Sequence, residues 1–120
     1  MSKKTVVLGA SQNPLRYSNM AVKKLAAHQH PVVAIGRREG NINGIEIIKG
    51  QPVLPDVDTV TLYLNPGNQK PYYDYILSLH PKRIIFNPGA ENTELQGLAE
   101  EKGIHTMEAC TLVLLSTGQY

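Results

Sequence analysis

The sequence predicts an α/β protein in which helices cover both faces of a parallel, doubly wound β-sheet. Short apolar runs alternate along the chain with longer amphipathic segments, which is the pattern of strands alternating with helices. The runs Thr5–Leu8 and Val32–Ile35 carry almost no polar residue, as expected of strands that are covered on both faces. With 120 residues, 42% of them hydrophobic, the chain can bury a core without disulfides, and we expect residues 1–120 to form a single domain.

The first βαβ unit is predicted over residues 5–35. Between its two strands, apolar residues recur at helical spacing from Ala21 to Ala26. Ser18 and Asn19 precede this pattern, and either side chain can cap the first turn of a helix. The sequence therefore predicts a first helix that begins near residue 18.

A third and a fourth strand are predicted further along the chain. Ile45–Ile48 is a short apolar stretch within the Gly-, Asn- and Pro-rich residues 36–55, and we expect it to form a weak strand at the sheet edge. Residues 57–64 alternate β-branched side chains, which favours a strand that ends at Asn65-Pro66-Gly67. A helix capped by Asn68 should follow and end at residue 80.

The last third of the chain repeats the pattern. Arg83–Phe86 is the predicted fifth strand, and a helix that begins at Asn92 or Thr93 follows it. Residues 104–107 suit a short sixth strand. The tail beyond Cys110 contains an apolar run at residues 112–115, which predicts either a terminal helical turn packed on the sheet or a docking surface for a partner.

Charge and composition argue against several partners. The formal net charge is +2, the basic residues occur only in small groups, and aromatic residues make up 6% of the chain, so we expect no nucleic-acid binding. The apolar residues 6–10 are too few for a signal peptide or a membrane span. With a single cysteine, Cys110, the expected location is the reducing cytoplasm and no membrane partner is expected.

The stretch Gly9-Ala10-Ser11-Gln12-Asn13-Pro14 joins the first strand to the first helix. At this place in a doubly wound sheet, a glycine allows backbone amides and a helix N-terminus to approach an anion. The match to the dinucleotide motif G-x-G-x-x-G is incomplete, because Ser11 stands at the second glycine. The stretch predicts a phosphate-binding loop, with a plain tight turn as the alternative.

The second strand ends at Gly36-Arg37-Arg38, where NAD-binding sheets place an acidic residue on the ribose. Two arginines at this position instead suit a phosphate carried by the adenosine ribose. A solvated basic pair in a loop is the alternative. NADP and coenzyme A both remain possible ligands.

The four histidines, His28, His30, His80 and His105, are scattered without a cysteine or glutamate at metal-ligand spacing. They are expected to lie on the surface or at helix ends. The order of the residues also yields no Ser-His-Asp or paired-carboxylate arrangement, so no catalytic residue is predicted.

Five groups of residues together resemble a known family. The sequence is similar to the small stand-alone CoA-binding proteins whose fold is that of the N-terminal domain of the succinyl-CoA synthetase α subunit, and the resemblance spans nearly the whole chain. The residues that carry it are Gly9-Ala10-Ser11 with Asn13-Pro14 and Arg16, then Ile35-Gly36-Arg37-Arg38, Asn65-Pro66, Asn87-Pro88-Gly89-Ala90-Glu91-Asn92, and Cys110.

This resemblance implies a Rossmann-like sheet with strand order 3-2-1-4-5, extended by the possible sixth strand, that binds CoA or an acyl-CoA along its carboxyl edge. It implies no catalysis, because the ligase carries its phosphorylated histidine in a second domain. Cys110 would be either a small buried hydrophobic residue or a thiol near the end of the CoA arm. The implied cofactor-binding residues are Gly9, Ala10, Ser11, Asn13, Arg16, Gly36, Arg37, Arg38, Tyr63, Asn65, Pro66, Asn87 and Gly89.

The sequence also departs from the family pattern. The family commonly has Asn-Pro before its basic residue where Gly36-Arg37 stands, and arginine where Asn65 and Ala109 stand. It tends to have glycine where Gln29 ends the first helix. Two other functions therefore stay open: an NADP-binding oxidoreductase fragment, and an interaction domain that has kept the fold without the ligand. A homodimer or a protein partner is possible in each case.

Overall fold

Seven strands form one sheet in the computed structural model, which describes residues 2–120. In chain order the strands are β1 (Thr5–Leu8), β2 (Val32–Ile35), β3 (Gly40–Ile42), β4 (Ile45–Ile48), β5 (Thr59–Leu62), β6 (Arg83–Phe86) and β7 (His105–Glu108). Their order across the sheet is β3-β4-β2-β1-β5-β6-β7. All neighbours are parallel except β3 and β4.

The observed order confirms the predicted one. The strands that were numbered 3-2-1-4-5 from the sequence are β4-β2-β1-β5-β6, and the possible sixth strand is β7. The central strand β1 pairs in register on both sides, with Val7 opposite Ala34 on β2 and opposite Thr61 on β5. The carboxyl ends of the four central parallel strands therefore share one edge of the sheet.

Helices cover the two faces of the sheet. They are α1 (Tyr17–Ala27), α2 (Pro66–Gln69), which a 3-10 turn (Lys70–Tyr72) joins to α3 (Tyr73–Ser78), then α4 (Thr93–Glu101) and α5 (Thr111–Ser116). Because side chains alternate along a strand, Val7 packs in the core under α1 and α5, while Val6 packs under α3 and α4. Every helix formed by residues 2–120 is too short or too polar to cross a lipid bilayer.

The edge next to β4 differs from the prediction. Ile45–Ile48 is not an edge strand, because β3 pairs with it in an antiparallel hairpin. The connection is Asn43-Gly44, with φ of 48° and 90°. Two consecutive left-handed residues form the turn that fits the twist of a two-residue hairpin, and asparagine and glycine tolerate that backbone best.

Two of the predicted helix caps are wrong. Ser18 and Asn19 lie within the first turn of α1 and are buried, and the N-cap position belongs to Arg16, whose side chain makes no capping bond. The helix after β5 is capped by Asn65, whose Oδ1 accepts a hydrogen bond from the backbone amide of Asn68 at 2.9 Å. Asn92 caps α4 as predicted by accepting from the Leu95 amide at 3.1 Å.

The tail beyond Cys110 forms the terminal helix α5. Leu114 and Leu115 are buried, and Leu115 belongs to the core that α1 also covers. Tyr120 then reaches the amino edge of the sheet. Its ring centroid lies 4.9 Å from that of His30 and 4.3 Å from Cζ of Arg83.

Candidate functional site

A cleft of about 290 Å³ opens at the carboxyl edge of the sheet. The chain leaves β1 toward β2 on one side, whereas β5 lies on the other side, so the connections diverge at this point. Ligands of open α/β sheets bind at such a switch point. The cleft is lined by Gly9, Arg16, Tyr17, Ser18, Tyr63, Leu64, Asn65, Pro88, Gly89 and Ala90.

A second cleft of about 370 Å³ adjoins the first. The two share three lining residues, Tyr17, Tyr63 and Pro88. The remaining lining residues of the second cleft are Asn87, Cys110, Leu112 and Val113, and most of its surface is hydrocarbon. We call the first the polar cleft and the second the apolar cleft.

The structure brings only part of the predicted site residues together. Gly9, Arg16, Tyr63, Asn65 and Gly89 line the polar cleft, and Asn87 lines the apolar one. The other predicted residues line neither cleft: Ala10, Ser11, Asn13, Gly36, Arg37, Arg38 and Pro66.

Eight lining residues are absent from the predicted set, and four of these belong to helices. Tyr17 and Ser18 belong to the first turn of α1, and Leu112 and Val113 belong to α5. Placing them requires knowing how α5 packs beside α1, and no local pattern in the sequence states that contact.

Hydrogen bonds within the loop after β1, and between this loop and its neighbours, hold the loop in place. The backbone amides of Gly9 and Ala10 both donate to the carbonyl of Ile35 at 2.9 Å, so both are already engaged within the protein. Asn13 accepts from the Leu15 amide at 3.0 Å through its Oδ1, and Asn19 donates from its side chain to the carbonyl of Ser11 at 2.9 Å. In the first turn of α1 the amides of Tyr17 and Ser18 are left for an anion, because the Asn19 amide donates to the carbonyl of Arg16 at 3.1 Å.

At two glycine positions on this edge, a side chain would come too close to neighbouring backbone atoms. A Cβ on Gly36 would lie 2.4 Å from the carbonyl oxygen of Ala10, so β2 can approach the loop only because residue 36 has no side chain. Gly9 has φ of +100°, and a Cβ there would lie 3.1 Å from the backbone of Tyr63. Arg37 and Arg38 follow Gly36 and are both exposed.

The loop after β6 also borders the polar cleft. Gly89 has φ of +93°, and its amide donates to the Glu91 carboxylate at 2.9 Å. A Cβ added to Gly89 would meet nothing within 4 Å. Glycine is therefore required here by the backbone conformation rather than by lack of space.

The Asn87 side chain is used inside the protein. It is 1% exposed, and its amide group donates to Oγ1 of Thr61 at 2.6 Å and to the carbonyl of Leu62 at 2.9 Å. Its Oδ1 accepts from the Thr111 amide at 2.9 Å. Asn87 thus ties the ends of β5 and β6 to the first residue of α5, and it shapes the apolar cleft without offering it a free amide hydrogen.

Tyr63 forms the wall that the two clefts share. Its hydroxyl is buried close to Cys110 and Thr111, and it makes no hydrogen bond of normal geometry within residues 2–120. Burial raises the pKa of this phenol well above its ordinary value, so Tyr63 is neutral at physiological pH. Cys110 is half-buried beside it.

The sequence matches the model of the CoA binding domain family over residues 3–116. The chain belongs to this family. Membership supports a CoA-binding role for the protein. Among residues 2–120, no three His, Cys, Asp or Glu side chains meet as metal ligands would.

Solved structures share the fold of this CoA-binding domain. An uncharacterized protein of known crystal structure is 49% identical, covers 100% of this chain and 99% of its own, and superposes with a TM-score of 0.97. A hypothetical protein from Pyrococcus horikoshii OT3 is 22% identical over 92% of this chain and 79% of its own, with a TM-score of 0.82. A protein from Thermus thermophilus is 20% identical over 99% of this chain and 91% of its own, with a TM-score of 0.84. No match was found among curated proteins.

Proposed function

We propose that this protein binds coenzyme A in the two adjoining clefts and catalyses no reaction by itself. The observation that carries the proposal is the shared wall of Tyr17, Tyr63 and Pro88, which joins a polar cleft to an apolar one. CoA has the same polarity along its length, with a charged nucleotide diphosphate at one end and a sulfur at the other. Membership of the CoA binding domain family supports CoA as the ligand whose polarity matches that of the two clefts.

The polar cleft would hold the diphosphate. Arg16 lines it immediately before α1, where the helix dipole also favours an anion. Ser18 adds a hydroxyl at the same helix end. Asn65 faces the cleft from the opposite loop, and its Oδ1 is already engaged as the cap of α2, so its amide nitrogen is the group that can donate to the ligand.

The predicted residues outside the clefts would act on the nucleotide end or on the shape of the site. Arg37 and Arg38 follow Gly36 beside the loop of Ala10, Ser11 and Asn13, and we assign them to the phosphate on the ribose. Pro66 begins α2 and holds Asn65 in its capping position.

The proposal of binding without catalysis is supported by the chemistry of the lining residues. Neither cleft, as formed by residues 2–120, is lined by a histidine or a carboxylate that could move a proton near neutral pH. The Tyr63 phenol, whose pKa is raised, is neutral and buried. The groups that remain can position a ligand and donate hydrogen bonds to it.

Calorimetric titration and thermal unfolding with CoA, NADP and NAD test the proposal. A ligand that binds only the folded state stabilises it by roughly 2.7 kcal/mol at a hundredfold excess over its Kd. We expect CoA to raise Tm and NAD to leave it unchanged. Stabilisation by NADP without CoA would instead favour the oxidoreductase-like function that Arg37-Arg38 leaves open, and no response to any nucleotide would favour an interaction domain.

A variant pair locates the site. Arg16→Gln removes the charge at the start of α1, and we expect it to weaken CoA binding about tenfold, as for the loss of a charge-assisted hydrogen bond. Lys102→Gln removes the same charge from an exposed position at the end of α4 and should leave CoA binding unchanged. Equal effects of the two substitutions would mean that Arg16 contributes only to net charge.

A further inference from the structure

We propose that the apolar cleft receives the acyl group of a CoA thioester, so that the ligand class of this protein is acyl-CoA with a short uncharged acyl chain. The inference rests on the proposed CoA site and adds the chemistry of the group carried on the sulfur. Its occupant is inferred from continuity, because the apolar cleft shares the wall of Tyr17, Tyr63 and Pro88 with the polar cleft.

Helix α5 presents two apolar sides, and only one is used by the core. Leu114 and Leu115 are buried against the sheet. Leu112 and Val113 line the apolar cleft instead, and Val113 is 55% exposed. An exposed valine on a six-residue helix contributes little to the core, whereas it supplies the hydrocarbon surface that an acyl chain would cover.

Two polar side chains at the apolar cleft, those of Asn87 and Tyr63, leave no free hydrogen-bonding group at its surface. The Asn87 amide hydrogens are given to Thr61 and to the Leu62 carbonyl. The Tyr63 hydroxyl is buried beneath the surface rather than exposed in the cleft. A carboxylate placed here would gain no side-chain donor from Asn87 or Tyr63, and most of the surface that it would meet is hydrocarbon, which disfavours a charged acyl group.

The polar portion of the CoA arm suits the other cleft better. The pantetheine unit carries amides and a hydroxyl that need hydrogen-bonding partners, and the polar lining residues are concentrated on the polar-cleft side of Tyr63. The mostly hydrocarbon surface beyond Tyr63 is then left for the sulfur and the group attached to it. Cys110, half-buried in the lining of the apolar cleft, is compatible with an uncharged neighbour.

Calorimetric titration with CoA, acetyl-CoA, butyryl-CoA and succinyl-CoA tests the inference. Each methylene moved from water into an apolar site strengthens binding by up to about fourfold. We therefore expect butyryl-CoA to bind roughly tenfold more tightly than acetyl-CoA. Succinyl-CoA has an acyl chain of the same length with a terminal carboxylate, and it should bind at least about tenfold more weakly than butyryl-CoA.

A matched pair of variants places the effect in the cleft. Val113→Gln puts an amide on the exposed side of α5, and we expect it to reduce the ratio of butyryl-CoA to CoA affinity about fivefold. Val53→Gln makes the same change at a valine that is 97% exposed and lines neither cleft, so the ratio should stay as in the parent. Thermal unfolding verifies that both variants are folded.

The outcomes separate the inference from the proposed function. If CoA binds but affinity is flat or falls from acetyl-CoA to butyryl-CoA, the acyl site is wrong and the CoA site stands. An unchanged ratio in Val113→Gln would likewise exclude this cleft as the acyl site. If neither CoA nor any thioester binds, the proposed function is wrong and the inference falls with it.

Discussion

The side-chain amide of Asn92 donates a hydrogen bond to Oε1 of Gln69 at 2.9 Å in the interior of the protein. Gln69 in turn donates to the carbonyl of Leu64 at 2.8 Å and to the carbonyl of Ala90 at 2.7 Å. Leu64 and Ala90 both line the polar cleft, from the loops after β5 and β6. Two buried amides therefore set the distance between opposite walls of the site.

We predict that Gln69→Leu destabilises the protein by roughly 3 kcal/mol, because it keeps the volume but leaves two buried carbonyls without a donor. CoA binding should weaken as the cleft walls lose their spacing. Urea denaturation measures the first effect and calorimetry the second. Gln119→Leu, at an exposed glutamine, is the control and should change stability by less than about 0.5 kcal/mol. Equal losses in both variants would contradict the role assigned to Gln69.

Gln29 ends α1 in the left-handed region, with φ of 65°. Glycine adopts this conformation without a steric penalty, so Gln29→Gly should stabilise the protein by about 0.5–1 kcal/mol. Ala27→Gly, two positions earlier within the helix, should instead destabilise it by about the same amount. Opposite shifts of Tm for the two variants are expected, and a loss of stability in Gln29→Gly would show that the glutamine side chain makes an important contact.

His30 makes stability depend on pH. Its Nδ1 accepts a hydrogen bond from the backbone amide of Lys3 at 2.9 Å, so this nitrogen is unprotonated in the folded protein. Burial, and then the positive charges of His28 and Lys3, lower the pKa of His30 below its ordinary 6.5. The unfolded chain therefore binds a proton first, and this stabilisation is complete above about pH 6.5 and is lost as the pH falls toward the lowered pKa.

Urea denaturation of the parent and His30→Gln between pH 7.5 and pH 5 measures this contribution. Glutamine can accept the same hydrogen bond at every pH. The free-energy difference between the two proteins should move in favour of His30→Gln as the pH decreases. Parallel pH profiles would show that His30 has the same pKa in both states.

Cys110 occupies the N-cap position of α5 with an extended backbone, and its side chain makes no capping bond. Serine is favoured at such a position because its hydroxyl accepts from the first-turn amides. Cys110→Ser should therefore be more stable than Cys110→Ala by about 1 kcal/mol. Both variants should still bind CoA. Loss of CoA binding in Cys110→Ser, measured by calorimetry, would assign the thiol a direct part in the site.

Arg37 and Arg38 are proposed to contact the ribose phosphate, which dephospho-CoA lacks. The parent should prefer CoA to dephospho-CoA by about tenfold, a modest factor because both arginines are exposed. Replacing both by alanine should abolish that preference and leave dephospho-CoA binding unchanged. Four titrations complete the double-mutant cycle.

The control for the arginine pair is Lys49→Ala with Lys102→Ala, which removes two exposed charges elsewhere. A similar loss for both ligands in the arginine variant would place Arg37 and Arg38 near the diphosphate. No loss for either ligand would make them a solvated pair.

The order of the strands could be predicted because most strands of the parallel sheet are short apolar or β-branched runs, and helical patterns separate most of them. The hairpin partner β3 was missed although Asn43-Gly44 is a strong hairpin signal, because its strand, Gly40–Ile42, has only one apolar side chain. The helix caps were misplaced where several capping residues stand together. Tertiary packing decides which of these residues caps the helix. Asn19 does not cap α1, because its buried side chain donates a hydrogen bond to the carbonyl of Ser11.

The site could be predicted only where it depends on loops at strand ends. Gly9, Arg16, Asn65 and Gly89 lie in the loops that follow β1, β5 and β6, and their convergence follows from a parallel sheet. The apolar cleft could not be predicted, because Tyr17 and Val113, which both line it, are more than ninety residues apart and are brought to it by the packing of α5 beside α1. The structural role of Asn87 could not be predicted either, because an asparagine that follows a strand can hydrogen-bond to a ligand or to other residues of the protein.

The two edge strands of the sheet, β3 and β7, affect how readily the protein aggregates at high concentration. An outer strand exposes unpaired backbone groups that another chain can extend into an aggregate. Here one outer strand, β3, has three residues, and the other, β7, ends in the exposed residues His105 and Glu108. β3 is too short, and β7 too polar at its ends, to be a good template for intermolecular β-pairing. The protein should therefore resist forming fibrils although it contains a seven-stranded sheet.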